Sequence, residues 1–325
     1  MKRRTLIKSA PALIVPALLP TLARAQASYP TKTVRIVASV QPGGGVDMVA
    51  RTMADQLSRS LGQSFVVENM AGGGGVIATQ HVARSAPDGY TLMVGYVSTH
   101  GTTPAVRKLP YDAVKDFTPI GMVGGTPNVF VVTPDSPHKS LKELLAYAKA
   151  NPAKLTYGSA GLGSLTHLVM EQFKLSANFF AVHVPYRGIG PAFTDMIGGQ
   201  TQIMFPGLAA ALPHIRSGKL RPLAITGQTR HKLLPEVPTF EENGFPGFNA
   251  LQWYGIVGPA RMPTEIVTKL NAAMNKALAV PELQKRLSSE ALDPMPMSPQ
   301  QFDAYIKDEI DRYTRLAKER KISIS

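Results

Sequence analysis

Apolar and polar positions alternate in short runs along this chain, and between the runs the apolar spacing lengthens to a helical period. Residues 33–39 read as a strand. Over 46–61, Val46, Val49, Ala50, Met53, Leu57 and Leu61 fall on one face of a helix. A strand over 64–68 and a helix over 76–85 follow, and Asp88-Gly89 turns the chain into a strand over 90–95. This β-α-β-α-β order predicts a doubly wound, mostly parallel sheet, because parallel neighbours need a helix-length crossover.

The alternation continues with strands over 117–123 and 129–133. A helix over 141–150 comes next, with Ser140 placed to cap it and Asn151-Pro152 to end it. Strands at 155–158, 180–184, 202–205 and 220–226 then alternate with helices at 164–173, 191–197 and 208–217. A strand over 253–257 and helices over 265–278 and 299–318 complete the pattern. Two βα-rich blocks emerge, the second inserted into the first. The expected division is 26–125 and 228–325 for the first block and 126–227 for the second, with Gly124-Gly125 and Gly227 at the crossings.

The start of the chain has a different character. Lys2, Arg3, Arg4 and Lys8 precede an apolar run over 10–22, and Ala23-Arg24-Ala25 supplies a small-x-small cleavage pattern, with Ala25-Gln26-Ala27 as the alternative. This predicts a cleaved export signal over 1–25 and a periplasmic mature protein. Arg3-Arg4-Thr5-Leu6-Ile7-Lys8 also resembles a twin-arginine motif, so both export routes stay open. Beyond that segment no apolar run has the length of a membrane span.

Composition narrows the chemistry. With 44% hydrophobic residues the 325-residue chain has material for sizeable cores, and with no cysteine it has no disulfide, thiolate ligand or thiol nucleophile. The formal charge is +13, but residues 1–25 carry five basic and no acidic residues. The remainder therefore has 30 Lys and Arg against 22 Asp and Glu, a net +8. These charges are dispersed, apart from a run over 315–321 that reads as the solvated face of a terminal helix. The balance suits an anionic small molecule better than nucleic acid.

Candidate chemistry lies where strands turn into helices. Pro42, Gly43, Gly44, Gly45, Val46 and Asp47 form a glycine turn whose free N–H groups and helix dipole attract an anion, or else a tight turn without a ligand. Gly158-Ser159-Ala160-Gly161-Leu162-Gly163-Ser164 has the same design. There Ser164 is either a donor or a helix cap, and His167 either a contact or a packed side chain. Tyr186-Arg187-Gly188 is the third turn. Arg187 suits bidentate pairing with a carboxylate or a salt bridge, and Asp195 and Asp47 suit a ligand's amine or hydroxyl, or helix-start stabilisation. Ser98 and Thr99 follow a strand at the edge of the same region. The run Gly72–Gly75 lacks a P-loop ending and reads as structural.

Enzymatic patterns are missing. Tyr157 and Leu162 stand where a Gly-x-Ser-x-Gly elbow around Ser159 or Ser164 needs its first glycine, and the seven histidines show no metal-ligand spacing. No catalytic residue, metal or cofactor is expected. A hydrolase using Ser159 or Ser164 with His167 is the remote alternative.

Taken in order, Tyr29-Pro30, Pro42 to Asp47 with Ala50-Arg51, Val67-Glu68-Asn69, Ala86-Pro87-Asp88-Gly89-Tyr90-Thr91, Gly158 to Ser164, Val184 to Gly188 and Gly255 to Pro259 form one series. It resembles the extracytoplasmic solute receptors of tripartite tricarboxylate transporters, the Bug or TctC family. The resemblance implies an α/β, two-lobed periplasmic-binding-protein fold, type II-like, with the ligand cleft between two doubly wound lobes. It implies a small organic carboxylate held largely by backbone groups and bridging waters, at positions matching 42–47, Ser98, Ser159 to Ser164 and Arg187-Gly188. It further implies a monomer that delivers ligand to membrane transport subunits, a membrane sensor kinase being the alternative partner. Met70-Ala71-Gly72-Gly73 departs from the basic residue and proline usual in that family, which alters this loop.

Overall fold

The computed structural model describes residues 29–319 and 321–322; the expected export signal over 1–25 lies outside them. The chain begins with β1 (Val34–Ala38), α1 (Gly45–Leu61), β2 (Phe65–Asn69), α2 (Val76–Ala83), β3 (Thr91–Tyr96), α3 (Thr103–Val106) and β4 (Phe117–Pro127). It continues through β5 (Val129–Val132), α4 (Leu141–Ala150), β6 (Thr156–Ser159), α5 (Leu165–Ala177), β7 (Val182–Pro185), α6 (Ile189–Ile197), β8 (Ile203–Met204), α7 (Leu208–Arg216) and β9 (Arg221–Ile225). It ends with β10 (Leu251–Pro259), α8 (Thr264–Leu278), α9 (Pro281–Ser289), β11 (Asp293–Pro294) and α10 (Pro299–Glu319). No helix among the described residues is long and apolar enough to cross a membrane.

Two sheets form, ordered β11-β4-β10-β3-β1-β2 and β7-β6-β8-β5-β9. Both are mixed, which qualifies the expectation of mostly parallel sheets. β1 pairs parallel with β2 and β3, while β10 pairs antiparallel with β3 and with β4. It follows that β1 to β4 all share one direction, and β10 lies reversed between two of them. In the second sheet β6 pairs parallel with β7 and β8, and β5 is reversed between β8 and β9. Of the reversed strands, β5 and β10 are the two that enter a sheet from the other one, while the two-residue β11 pairs antiparallel with β4 at the sheet edge. A chain leaving β4 at its carboxyl end enters the second sheet from that same end, so β5 must run backwards. The return through β10 obeys the same constraint. The carboxyl ends of both parallel sets therefore face the crevice between the lobes, the place where open α/β sheets bind ligands.

Strand alternation gives each sheet two apolar faces. Ile36, Val94 and Ile256 pack with α1 and α8, whereas Val37, Met93 and Val257 pack on the side of α2 and α10. In the second lobe Phe130 and Val132 enter one core and Val129 and Val131 the other. Residues 228–250, expected with the first block, pack on the second. Phe240 and Phe248 join Phe130, Phe173 and Phe205 in an aromatic cluster, with Phe240 and Phe248 4.6 Å apart. No β-α periodicity marks that segment, so its attachment is decided by these rings rather than by any strand.

α9 and the single π-helical turn Ser98–Thr102 are elements that the periodicity does not reveal. α9 buries only Leu283 and Leu287, too few for a visible stripe.

Candidate functional site

The first lobe contributes the turn between β1 and α1. Gly44 stands at the N-cap position with no side-chain cap. The N–H groups of Gly44, Gly45, Val46 and Asp47 have no partner among the described residues. Pro42 and Gly43 are exposed. Gly45 is required by close packing, since a Cβ there would lie 2.5 Å from the Tyr254 hydroxyl. Gly43, at φ 94°, gives the left-handed step that opens the turn.

Asp47 holds the turn together. Its Oδ2 accepts from the Gly43 N–H and from Arg51 Nε, both at 3.0 Å, and its Oδ1 accepts from Asn69 Nδ2 at 2.8 Å. Asn69 also donates to the Val40 carbonyl, and Arg51 Nη2 donates to Asn69 Oδ1. Burial by itself would raise the Asp47 pKa, but hydrogen bonds from Arg51, Gly43 and Asn69 outweigh it and hold the carboxyl below its ordinary value. With its side chain 6% exposed and three donors in place, Asp47 positions the turn and offers nothing to a ligand.

The floor beside this turn is aromatic. Tyr96, half-buried at the end of β3, stacks on Tyr254 with ring centroids 6.5 Å apart. Ser98 and Thr99 open the π-helical turn, a local widening often found at functional sites. Thr99 is buried, with its Oγ1 2.9 Å from His100 Nδ1 and its carbonyl accepting from the Tyr111 hydroxyl. Burial pushes the His100 pKa down to about 3, so the ring is neutral. Ser98 is buried as well, and Thr99 spends its polar atoms on the fold.

In the second lobe, the turn between β6 and α5 spends most of its donors internally. Ser159 is fully buried; its Oγ accepts from the Gly161 N–H at 3.1 Å and lies 2.7 Å from His183 Nε2. Ala160 N–H donates to Thr166 Oγ1, and Gly163 N–H donates to His167 Nδ1 at 3.2 Å. Ser164 caps α5 by accepting from the His167 N–H, and its hydroxyl donates to the Gly161 carbonyl at 2.7 Å. The amides without a partner among the described residues are those of Leu162, Leu165 and Thr166. Ser159, Gly161, Gly163 and His167, expected at the ligand, spend these hydrogen-bonding groups within the lobe. For the hydrolase alternative, the Ser159 hydroxyl is buried against Gly161 and His183, the Ser164 hydroxyl donates to the Gly161 carbonyl, and His167 Nδ1 accepts from the Gly163 N–H, so no serine–His167 ring pair is formed among the described residues.

His183 on β7 is the frame residue that sequence inspection missed. Its ring is stacked between Tyr157 at 4.6 Å and His167 at 4.2 Å. Burial, with the neighbouring His167 adding to it, pushes its pKa down to about 3. No local signal marks it, because its partners arrive from β6 and α5.

The third turn is bolted to the second. Tyr186 N–H donates to the Ser159 carbonyl at 3.1 Å, and Gly161 is bare because a Cβ would meet the Tyr186 carbonyl at 2.9 Å. Gly188 starts α6 with no side-chain cap. The amides of Arg187, Gly188, Ile189 and Gly190 have no partner among the described residues. Arg187 is exposed and makes no ion pair with a described residue. Asp195 sits beside the Tyr186 phenol, whose pKa is raised by burial and then by the Asp195 hydrogen bond and charge. It steadies the turn.

The start of α5 packs across the lobes, Leu165 and Leu168 sharing a core with Val97, Trp253 and Tyr313. The start of α5 thus meets the Ser98–Thr102 turn directly. The 43–47 turn makes no hydrogen bond to the second or third turn among the described residues. In this two-lobed α/β fold, uncapped helix starts from both lobes, with an unpaired guanidinium, form the kind of arrangement that attracts a small anion.

The comparisons place it more narrowly. The profile of the tripartite tricarboxylate transporter family receptor matches residues 49–322, and the chain belongs to that family. It is 36% identical over 294 residues to Protein BugT of Bordetella pertussis, covering 90% of each chain. Among solved structures it is similar to R. palustris Rpa4515 with adipate, at 36% identity and TM-score 0.87, covering 91% of this chain and 99% of that one. It is also similar to MatC from Rhodopseudomonas palustris with bound malate, at 34% identity and TM-score 0.82, covering 89% and 99% respectively.

Proposed function

We propose that this protein is a periplasmic receptor that captures a small organic carboxylate between its lobes and delivers it to membrane subunits of a tripartite tricarboxylate-type transporter. The observation that carries the reading is the set of unspent helix-start amides on the uncapped α1 and α6, with Arg187 unpaired beside the last. The adipate and malate in the related structures support a carboxylate as ligand. The signal-like start over 1–25 supports export. We take 128–250 as the second lobe and the chain on either side as the first. The placement of donors on both lobes supports closure as the mode of capture, since a ligand that contacts both favours the state in which the lobes approach.

The test is a thermal-shift panel of carboxylates on mature protein that has been unfolded and refolded to strip captured ligand. At a hundred times its dissociation constant a true ligand adds about 2.7 kcal/mol, a rise of about 5 °C or more. Small-angle scattering with the hit should show a more compact particle. No shift with any acid, from protein shown to be folded, overturns the carboxylate reading. Identical scattering curves overturn closure.

A further inference from the structure

The glycine run Gly72–Gly75 is left unused by the donor set described above, and its geometry has a purpose. All four residues are left-handed, at φ 141°, 58°, 68° and 92°. A Cβ on Gly72 would lie 2.9 Å from Ile77 Cδ1, and one on Gly75 would lie 2.8 Å from Thr99 Cγ2. The bare turn therefore seats the start of α2 against the end of β3 and makes room for the Ile77 side chain. Ile77 is 54% exposed.

The opposite bank repeats the device. Leu162 stands between Gly161 at φ 122° and Gly163 at φ 77°, and it is 57% exposed. Leu162 and Ile77 have the highest exposure of any large apolar side chains among the described residues. Isolated exposed apolar residues are ordinary on a protein surface. Ile77 stands in the first turn of α2, after the carboxyl end of β2, and Leu162 after the carboxyl end of β6, each beside glycines, with the Leu162 amide free among the described residues. The floor is the stacked pair Tyr96 and Tyr254. Among the side-chain cations of these turns, Arg51 is committed to Asp47 and Asn69, which leaves Arg187. The crevice thus offers a polar grip for carboxylate and apolar surface for what lies next to it.

From this placement we propose that Ile77 and Leu162 are specificity-determining residues that close on the hydrocarbon body of the ligand. They select carboxylates with an unsubstituted chain over hydroxylated or tricarboxylic acids. The inference rests on the receptor reading and names the substrate class of that same site.

The experiment is calorimetric titration of wild type, Leu162→Ser and Ile77→Ser with succinate, glutarate, adipate, suberate, malate and citrate. For wild type, affinity should rise about fourfold per added methylene until the crevice is filled, and succinate should bind more tightly than malate. Each variant should weaken the longest bound acid at least tenfold, weaken succinate less, narrow the preference for succinate over malate, and keep the wild-type melting temperature, because both side chains are exposed. Equal weakening of all acids, no dependence on chain length, or tighter binding of malate or citrate overturns the inference while leaving a carboxylate receptor intact. Absence of binding by any acid overturns both.

Discussion

At the scale of single residues, the site separates groups that touch a ligand from groups that shape the turn. Asp47 is the clearest of the second kind. Replacing it with Asn leaves one acceptor where Gly43, Arg51 and Asn69 now share two oxygens. Losing hydrogen bonds to a buried charge should cost about 1–3 kcal/mol. The pH dependence has a definite sign. Because the folded carboxyl is held below its ordinary value, its stabilisation is complete above about pH 4 and disappears as pH falls through the lowered folded value. Thermal melts of wild type and Asp47→Asn should therefore differ at pH 7 and converge in acid; a gap that persists at low pH would assign the effect to packing. The Asp47–Arg51 pair was legible as an i,i+4 spacing on a helix. Asn69 and His183 were not, because their partners are distant in sequence.

At the scale of elements, the contrast between helix starts is functional. α4 and α5 are capped by Ser140 and Ser164, each accepting from the N–H three residues on. α1 and α6 begin with Gly44 and Gly188 and carry no side-chain cap. A cap would satisfy the amides proposed to hold the ligand. Gly44 has an extended backbone that any residue adopts, and a Cβ there meets Val40 Cγ2 at an ordinary 3.8 Å. Gly44→Asp should fold, gain a few tenths of a kcal/mol from self-capping, and lose at least tenfold in carboxylate affinity. Melting temperature and titration calorimetry on one sample check both halves. Unchanged affinity would remove the α1 start from the site. The glycine turns were visible as strand–glycine–helix junctions in the sequence. Which of their amides are free was not, since Gly161 and Gly163 look as available as Gly44 until Ser159 Oγ and His167 Nδ1 are seen to accept their N–H hydrogen bonds.

At the scale of the whole molecule, the lobes are tied behind the crevice. Asp293 on β11 receives Lys232 Nζ at 3.1 Å and lies 3.5 Å from His231 Nε2, both from the segment packed on the second sheet. Lys232 also donates to Ser288, and Arg312 on α10 donates to the Asn249 carbonyl. Hydrogen bonding from His231 leads, against burial and with help from Lys232, in pulling the Asp293 pKa down to about 2. Its contribution is thus present above about pH 4 and lost toward pH 2. Since the pair is half-exposed, Asp293→Asn should lower stability by no more than about 1 kcal/mol at pH 7. Urea unfolding across that pH range checks it. A loss that does not shrink below pH 3 would assign the effect to β11 itself.

Local sequence determined most of the element list, the α/β class, the three glycine turns and the family, because hydrophobic period, turn residues and ordered motifs are properties of neighbouring residues. Tertiary structure alone decided the reversed insertion of β5 and β10, since strand direction depends on where the chain re-enters a sheet. It also decided the attachment of 228–250, which follows from Phe240 and Phe248 finding Phe173 and Phe205 rather than from any local pattern. The division of the site into donors and frame was settled there too. A hydrogen bond between β6 and β7, or between Asn69 and Asp47, exists only once the chain has brought distant residues within 3 Å of each other.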